Sequence, residues 1–409
     1  MRKMRDPVKV LIITRTLAEF ANLQGKIREI SRLGVELTVV SPARWAGRDC
    51  ELKNVRPDGY EFLVCRCWFS GTTSVRLGNH LHLYPGISSI IGREKWDLVH
   101  IDEEPFNLAT YHALRMCRRY RAPAVFSTWQ NLMKRYPPPF NLFEKYVHEN
   151  ASGAIAGNGE GLELLRRRGF RRPAACIPQL GVDPTFFRKQ DANGQREKLV
   201  PSGSFVVGFV GRIHREKGLD TLVRTIALLP KSSVLVLVGR GPYRAELEGL
   251  IGALGLSERV HWAPWVNSKE VPQYMSAFDV LVLPSRTGRN WKEQFGRVLV
   301  EAMASETCVV GSDSGEIPNV VGDAGLIFHE GDERELAERL RQLMDSPSLC
   351  DTLRHRGRQR VLEHFTYAKI AADTVNFYRS ICSGSEINSY GDRELTEYPD
   401  GVAGVETRA

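Results

Sequence analysis

Alternation between two hydrophobic periods constrains this chain more than any single residue does. Short apolar runs lie at Val8–Ile13, Glu36–Val40, Leu98–His100, Val125–Ser127 and Ala154–Ala156, with helix-period patterns near residues 22–33, 107–119, 140–150 and 159–168. A second series starts at Phe205–Val210 and continues through Val234–Val238, Val260–Trp262, Val280–Leu283 and Cys308–Gly311. Parallel strands need long crossovers, and crossover helices land on the faces of the sheet, so the pattern predicts an α/β chain with two doubly wound, Rossmann-like domains. Pro178–Pro184 and the polar stretch 189–201 read as the linker. That places a first domain at 1–195 and a second at 196–366, followed by a long helical segment. From Ser383 the sequence is Gly, Ser and acidic residues with little to bury, and a disordered tail is expected over 383–409. In open parallel sheets ligands bind beyond the carboxyl ends of the strands, so the loops that follow these strands are where chemistry is expected.

The most informative of those loops is Glu293-Gln-Phe-Gly-Arg-Val-Leu-Val-Glu301. It is expected to begin at a helix N-terminus with Glu293, which places Glu301 about two turns further along. Carboxylates accept hydrogen bonds from vicinal hydroxyls, and a helix N-terminus attracts anions, so this element suits a ligand with both sugar and phosphate groups. A capping Glu and a solvated Glu would leave the same trace in a sequence. Upstream, Phe205–Val210 runs into Gly211-Arg212-Ile-His-Arg-Glu-Lys217-Gly218. There glycine lets the backbone approach a ligand, Arg212 offers a planar fork and Lys217 a mobile point charge, a combination suited to a diphosphate.

Taken in order, Gly211-Arg212 with Lys217-Gly218, Val238-Gly239-Arg-Gly241-Pro242, Leu283-Pro-Ser285, the Glu293/Glu301 run and Gly315-Glu-Ile-Pro318 resemble retaining nucleotide-sugar glycosyltransferases of family 4. The resemblance extends over roughly residues 8–380. It implies the GT-B fold, two such domains facing across a cleft, with a helix near 367–382 crossing back to the first domain. It also implies roles. Glu293 would hold the transferred sugar, Glu301 the ribose, and Arg212 and Lys217 the departing diphosphate. Gly211, Phe295, Gly296, Gly239, Gly241 and Gly25 would contact the donor. His100 and Gln130 would position acceptor and sugar, Gln130 standing where many members carry His. The resemblance implies no cofactor beyond the nucleoside diphosphate sugar and no metal.

The expected function is a retaining, metal-independent transfer of a hexose-type sugar to a glycan or lipid-linked acceptor in surface polysaccharide synthesis. Two alternatives stay open, a nucleotide-sugar 2-epimerase of the same fold and a non-catalytic nucleotide-sugar-binding protein. An NAD-linked oxidoreductase is disfavoured, because Gly157-Asn-Gly159-Glu-Gly161 lacks the dinucleotide spacing.

Charge and cysteine content bear on partners and compartment. Residues 1–195 carry 30 Lys+Arg against 19 Asp+Glu, a net +11, whereas 196–382 carry 24 against 23. Clusters at Arg115–Arg121, Arg166–Arg168 and Arg171–Arg172 suit anionic lipid head groups, or are solvated helix faces. No nucleic-acid motif accompanies them. No apolar run approaches the ~18 residues of a membrane span. The eight cysteines are scattered, with Cys65 and Cys67 the one close pair, so reduced thiols and a cytoplasmic setting are expected, with peripheral contact at the inner membrane face.

Overall fold

The computed structural model of the chain describes residues 7–15, 24–45, 48–49, 57–70, 80–263, 266–267 and 269–384. Asn22 and Leu23 just ahead of Gly25, Pro264 and Trp265, and the tail beyond Gly384 lie outside the described residues.

The first half forms a seven-stranded sheet from β1 (Val8–Thr14), β2 (Val35–Pro42), β3 (Glu61–Cys65), β4 (Leu98–Asp102), β5 (Ala124–Thr128), β6 (Gly153–Ala156) and β7 (Ala174–Cys176). Every neighbouring pair is parallel, in the order β3-β2-β1-β4-β5-β6-β7. The second half forms a six-stranded parallel sheet from β8 (Phe205–Val210), β9 (Ser233–Val238), β10 (Val260–Ala263), β11 (Val280–Leu283), β12 (Cys308–Ser312) and β13 (Leu326–Phe328), in the order β10-β9-β8-β11-β12-β13. In both sheets the strand order reverses next to the first strand of the set. A crevice for a ligand opens at such a reversal.

These strands read as apolar runs because both their faces are covered. Val234–Val238 is buried along its whole length, as is Val280–Leu283. Burying one such side chain contributes about 1.5–3 kcal/mol, so each strand is committed to the interior by its own composition.

The helix Tyr367–Ser383 returns to the first sheet as expected. Its Ile370, Ala371, Val375 and Tyr378 share a core with Val10, Ile12 and Val39 of β1 and β2. Where the chain passes between the halves, Val182 N–H donates to Phe365 O at 2.9 Å and Tyr367 N–H to Val182 O at 3.2 Å. The two crossing segments are thereby paired.

The stretch 189–201 departs from a plain linker. It contains the helix Asn193–Leu199, and Arg196 on that helix pairs with Asp279 at 2.7 Å and donates to Ala277 O at 2.9 Å. The expected boundary after residue 195 falls inside this helix, which Arg196 ties to the second sheet.

Candidate active site

A cavity of about 890 Å³ lies at the carboxyl ends of both sheets. From the first domain it is lined by Arg15, Asp102, Glu103, Glu104 and Trp129, and from the second by Gly211, Arg212, Lys217, Glu293, Phe295–Arg297 and Glu301. Seven residues named from the sequence therefore meet in one place: Gly211, Arg212, Lys217, Glu293, Phe295, Gly296 and Glu301.

Glu293 does not start a helix. The helix begins at Arg297, and Gly296 before it has φ +77, a left-handed conformation that glycine adopts without Cβ strain. Glu293 thus stands in the loop ahead of the helix, while Glu301 sits on its second turn. Glu293 is 8% exposed, and its Oε2 accepts from Ser285 Oγ at 2.8 Å and from Lys217 Nζ at 2.5 Å. Lys217 also lies over the Trp291 ring, 5.0 Å from its centroid. Glu301 is paired with Arg297, one turn earlier, at 2.7 Å. Burial pushes the Glu301 carboxyl above its ordinary range, and the Arg297 guanidinium pulls the other way. Arg212 is exposed, lines the cavity, and has no ion-pair partner among the described residues. It is the charged fork left open to an anion.

Gly239 and Gly241 shape this site from beneath. A Cβ on Gly239 would stand 1.9 Å from Gly211 O, and one on Gly241 2.1 Å from Ile213 O. Gly211 N–H donates to Val238 O and Ile213 N–H to Arg240 O, so the two glycines let the β9 turn lie against the loop carrying Arg212. Both glycines therefore support that loop, and neither is among the residues lining the cavity. Phe295 borders the cavity, yet its ring packs edge-on against Phe365 at 5.8 Å and is 5% exposed.

Three residues expected to touch ligands are committed elsewhere. His100 is 3% exposed, with Nδ1 2.6 Å from Tyr378 Oη and Nε2 2.8 Å from Ser127 Oγ. Burial lowers its pKa to about 4, so it is a neutral core histidine joining the returning helix to the sheet. The Gln130 amide donates to Leu132 O at 2.6 Å and accepts from Tyr136 Oη at 3.2 Å, which holds its own loop. Gly25 lies in the first turn of the helix Gln24–Arg32, where a Cβ would meet the Tyr367 ring at 2.5 Å. Close helix packing accounts for it.

The first-domain wall of the cavity is acidic. Glu104 accepts from Thr128 Oγ1 at 2.7 Å and Trp129 N–H at 2.8 Å, and burial raises it to about 7. Burial also pushes Glu103 upward, but Arg15, His82 and Tyr84 outweigh it and hold that carboxyl at about 2. Asp102 accepts from Thr14 Oγ1 and Gln179 Nε2. Arg15 and Arg297 were not singled out from the sequence. The position of Arg15 just past the end of β1 and the four-residue spacing of Arg297 from Glu301 were the available signals. Next to this wall, Asn158 caps the helix Gly159–Arg167 by accepting from Gly161 N–H at 2.7 Å, which explains the glycine-rich turn there.

Two parallel-sheet Rossmann-like domains with this cavity at their strand ends define a GT-B glycosyltransferase. The chain belongs to the glycosyl transferases group 1 family: residues 191–360 match that family's model, and residues 23–179 match the glycosyl transferase 4-like domain. It is 33% identical to the alpha-maltose-1-phosphate synthase of Mycolicibacterium smegmatis, over 67% of this chain and 73% of that protein. It is 30% identical to the Mycobacterium tuberculosis protein of the same name, over 64% of this chain and 63% of that one, so the chain spans a little under two thirds of that relative. HepE of Anabaena in complex with UDP has the same fold, with a TM-score of 0.72 and 20% identity over 91% of this chain and all of that one.

Proposed function

We propose that the protein is a retaining glycosyltransferase that moves a hexose-type sugar from a nucleoside diphosphate sugar to a glycan or lipid-linked acceptor in surface polysaccharide synthesis, without a metal. The observation that carries this reading is the gathering of Glu293, Glu301, Lys217 and Arg212 around one cavity. Cleaving the donor leaves negative charge on the diphosphate and positive character on the anomeric carbon. Arg212 and Lys217 meet the first, and fixed cations of this kind stabilise a leaving group without reorganisation. One of the three Lys217 donors is used by Glu293, which leaves two for phosphate oxygens. Glu301 accepts from the ribose hydroxyls and Glu293 from the transferred sugar. With the acceptor entering on the face that the diphosphate leaves, the departing phosphate takes the acceptor proton.

The basic first domain supports an anionic acceptor or membrane surface. Arg135, Lys145, Arg171 and Arg172 are exposed around one groove of about 800 Å³. No described helix is long and apolar enough to cross a membrane, so contact of this kind would be peripheral.

Purified protein incubated with a panel of nucleoside diphosphate sugars and excess chelator tests the reading. Stabilisation and slow hydrolysis of one donor are expected, with both weakened in Glu301→Ala. Release of the nucleotide with a 2-epimerised sugar would favour the epimerase alternative, and binding without turnover the non-catalytic one.

A further inference from the structure

Glu293 is tied to the opposite domain through its backbone. Asn131 Nδ2, from the loop after β5, donates to Glu293 O at 3.1 Å. The same carbonyl accepts from Glu316 N–H at 3.1 Å within its own domain. That approach is close. A Cβ on the preceding Gly315, which has φ +59, would stand 2.0 Å from Glu293 O. Glu316 in turn reaches across with its side chain: Oε1 and Oε2 accept from Gly159 N–H at 3.1 and 3.2 Å. Gly159 opens the helix Gly159–Arg167, whose N-terminal N–H groups favour an anionic acceptor. Lys292, next to Glu293, pairs with Glu160 on the same helix, and Gln294, on its other side, donates to Trp129 O at 2.8 Å. Each residue from 292 to 294 thus has a partner in the first domain.

We propose that Asn131 and Glu316 are positioning residues that form a clasp across the cleft and hold the Glu293 loop in its working geometry, so that the sugar-side carboxylate is set only when the two domains are together. Glu293 is the residue set this way. Glu301 lies within the helix Arg297–Ala304 and is fixed by its own turn and by Arg297, so nucleotide binding does not depend on the clasp. This assignment of roles rests on the glycosyltransferase reading, but the clasp itself is a matter of structure and is measured separately.

The experiment compares wild type, Asn131→Ala, Glu316→Ala and Glu316→Gln in the full chain. Hydrogen exchange reads the Gly159 amide. Its protection should fall in Glu316→Ala and persist in Glu316→Gln, which keeps an acceptor oxygen. Unchanged Gly159 exchange in Glu316→Ala overturns the clasp, whether or not any donor is turned over. With a donor that wild type turns over, Asn131→Ala and Glu316→Ala should each lower kcat roughly tenfold or more, because small misplacements at a reacting centre are costly. The Kd for UDP should stay within about twofold, because Glu301 keeps its own helix and its Arg297 partner in these variants. Glu316→Gln should recover most of the lost kcat. A loss confined to KM, or equal damage in Glu316→Gln and Glu316→Ala with unchanged melting temperatures, overturns the positioning role. If wild type turns over no nucleotide sugar, the functional reading fails while the exchange result still decides the clasp.

Discussion

Lys217 Nζ stands 2.5 Å from Glu293 Oε2, with both side chains nearly buried. Lys217 is the only cation paired with Glu293 among the described residues, and under the proposed function the pair would join the diphosphate side of the cavity to its sugar side. Removing one member of a buried pair strands the other charge, a loss of about 3–5 kcal/mol in comparable settings. Lys217→Ala should therefore lower the melting temperature as well as kcat. Glu293→Gln keeps the Ser285 contact and the shape, so it should lose activity, by ~10²-fold or more, with a smaller stability change. Thermal melts beside donor-turnover kinetics separate the two.

Glu301→Ala should act on binding. A hydrogen bond to a charged group is worth about 1.5–3 kcal/mol, so the Kd for the preferred nucleoside diphosphate should rise roughly 10–100-fold by calorimetry. Equal affinity in the variant would remove Glu301 from the ribose site.

Glu104 and Glu316 give the protein a shared pH response. Burial raises both carboxyls from 4.5 to about 7. The folded chain then holds these protons more tightly than the unfolded chain does. Their contribution to stability is whole below pH 4.5 and is lost as pH rises through about 7, on the order of 3 kcal/mol each. Glu103 works in the opposite sense and in another window, since its depressed carboxyl contributes above 4.5 and is lost toward about 2. Urea titrations between pH 5 and 8 should show falling stability for wild type and a flatter profile for Glu104→Gln with Glu316→Gln.

His100→Phe should cost stability alone. The change leaves Tyr378 Oη and Ser127 Oγ without their ring partner, at about 1–3 kcal/mol per buried group. Donor affinity measured on the folded variant should match wild type. A selective loss of turnover would return His100 to the site.

The sheets were legible because hydrophobic period is a local property of the chain: the strands named from the sequence were marked by their own apolar residues, and Glu36–Val40 by its apolar end. Three strands missed in the two large sheets, Glu61–Cys65, Ala174–Cys176 and Leu326–Phe328, are short or partly exposed and lie at the edges of their sheets, where the local signal is weakest. The candidate site was legible for a different reason. Arg212, Lys217, Glu293 and Glu301 lie in the loops that follow strands of one domain or, for Glu301, on the second turn of the helix after such a loop, and strand ends of one parallel sheet share a rim. What the sequence could not reveal is partnership across large separations. His100 meets Tyr378 from 278 positions away, and Asn131 meets Glu293 from 162. A histidine at a strand end looks the same in a sequence whether its ring faces a ligand or a returning helix.

Glycines separate support from contact most sharply, and a paired substitution tests that distinction. Gly239→Ala would place a Cβ 1.9 Å from Gly211 O, a backbone atom that cannot swing away as a side chain would. The Gly211-Arg212 loop must then move, and it carries the open guanidinium of the cavity. Overpacking of this kind costs about 1–3 kcal/mol, and displacement of Arg212 should lower kcat further than that stability loss explains. Gly249→Ala is the matched control. Gly249 lies in the helix Arg244–Ala253 of the same domain, with nothing within 4 Å of the added Cβ. There the substitution should be neutral or stabilise by up to ~1 kcal/mol, since alanine is the better helix former. Melting temperature and kcat measured for both variants decide the matter. If Gly239→Ala kept full turnover, the β9 turn would not be what holds the Arg212 loop in place.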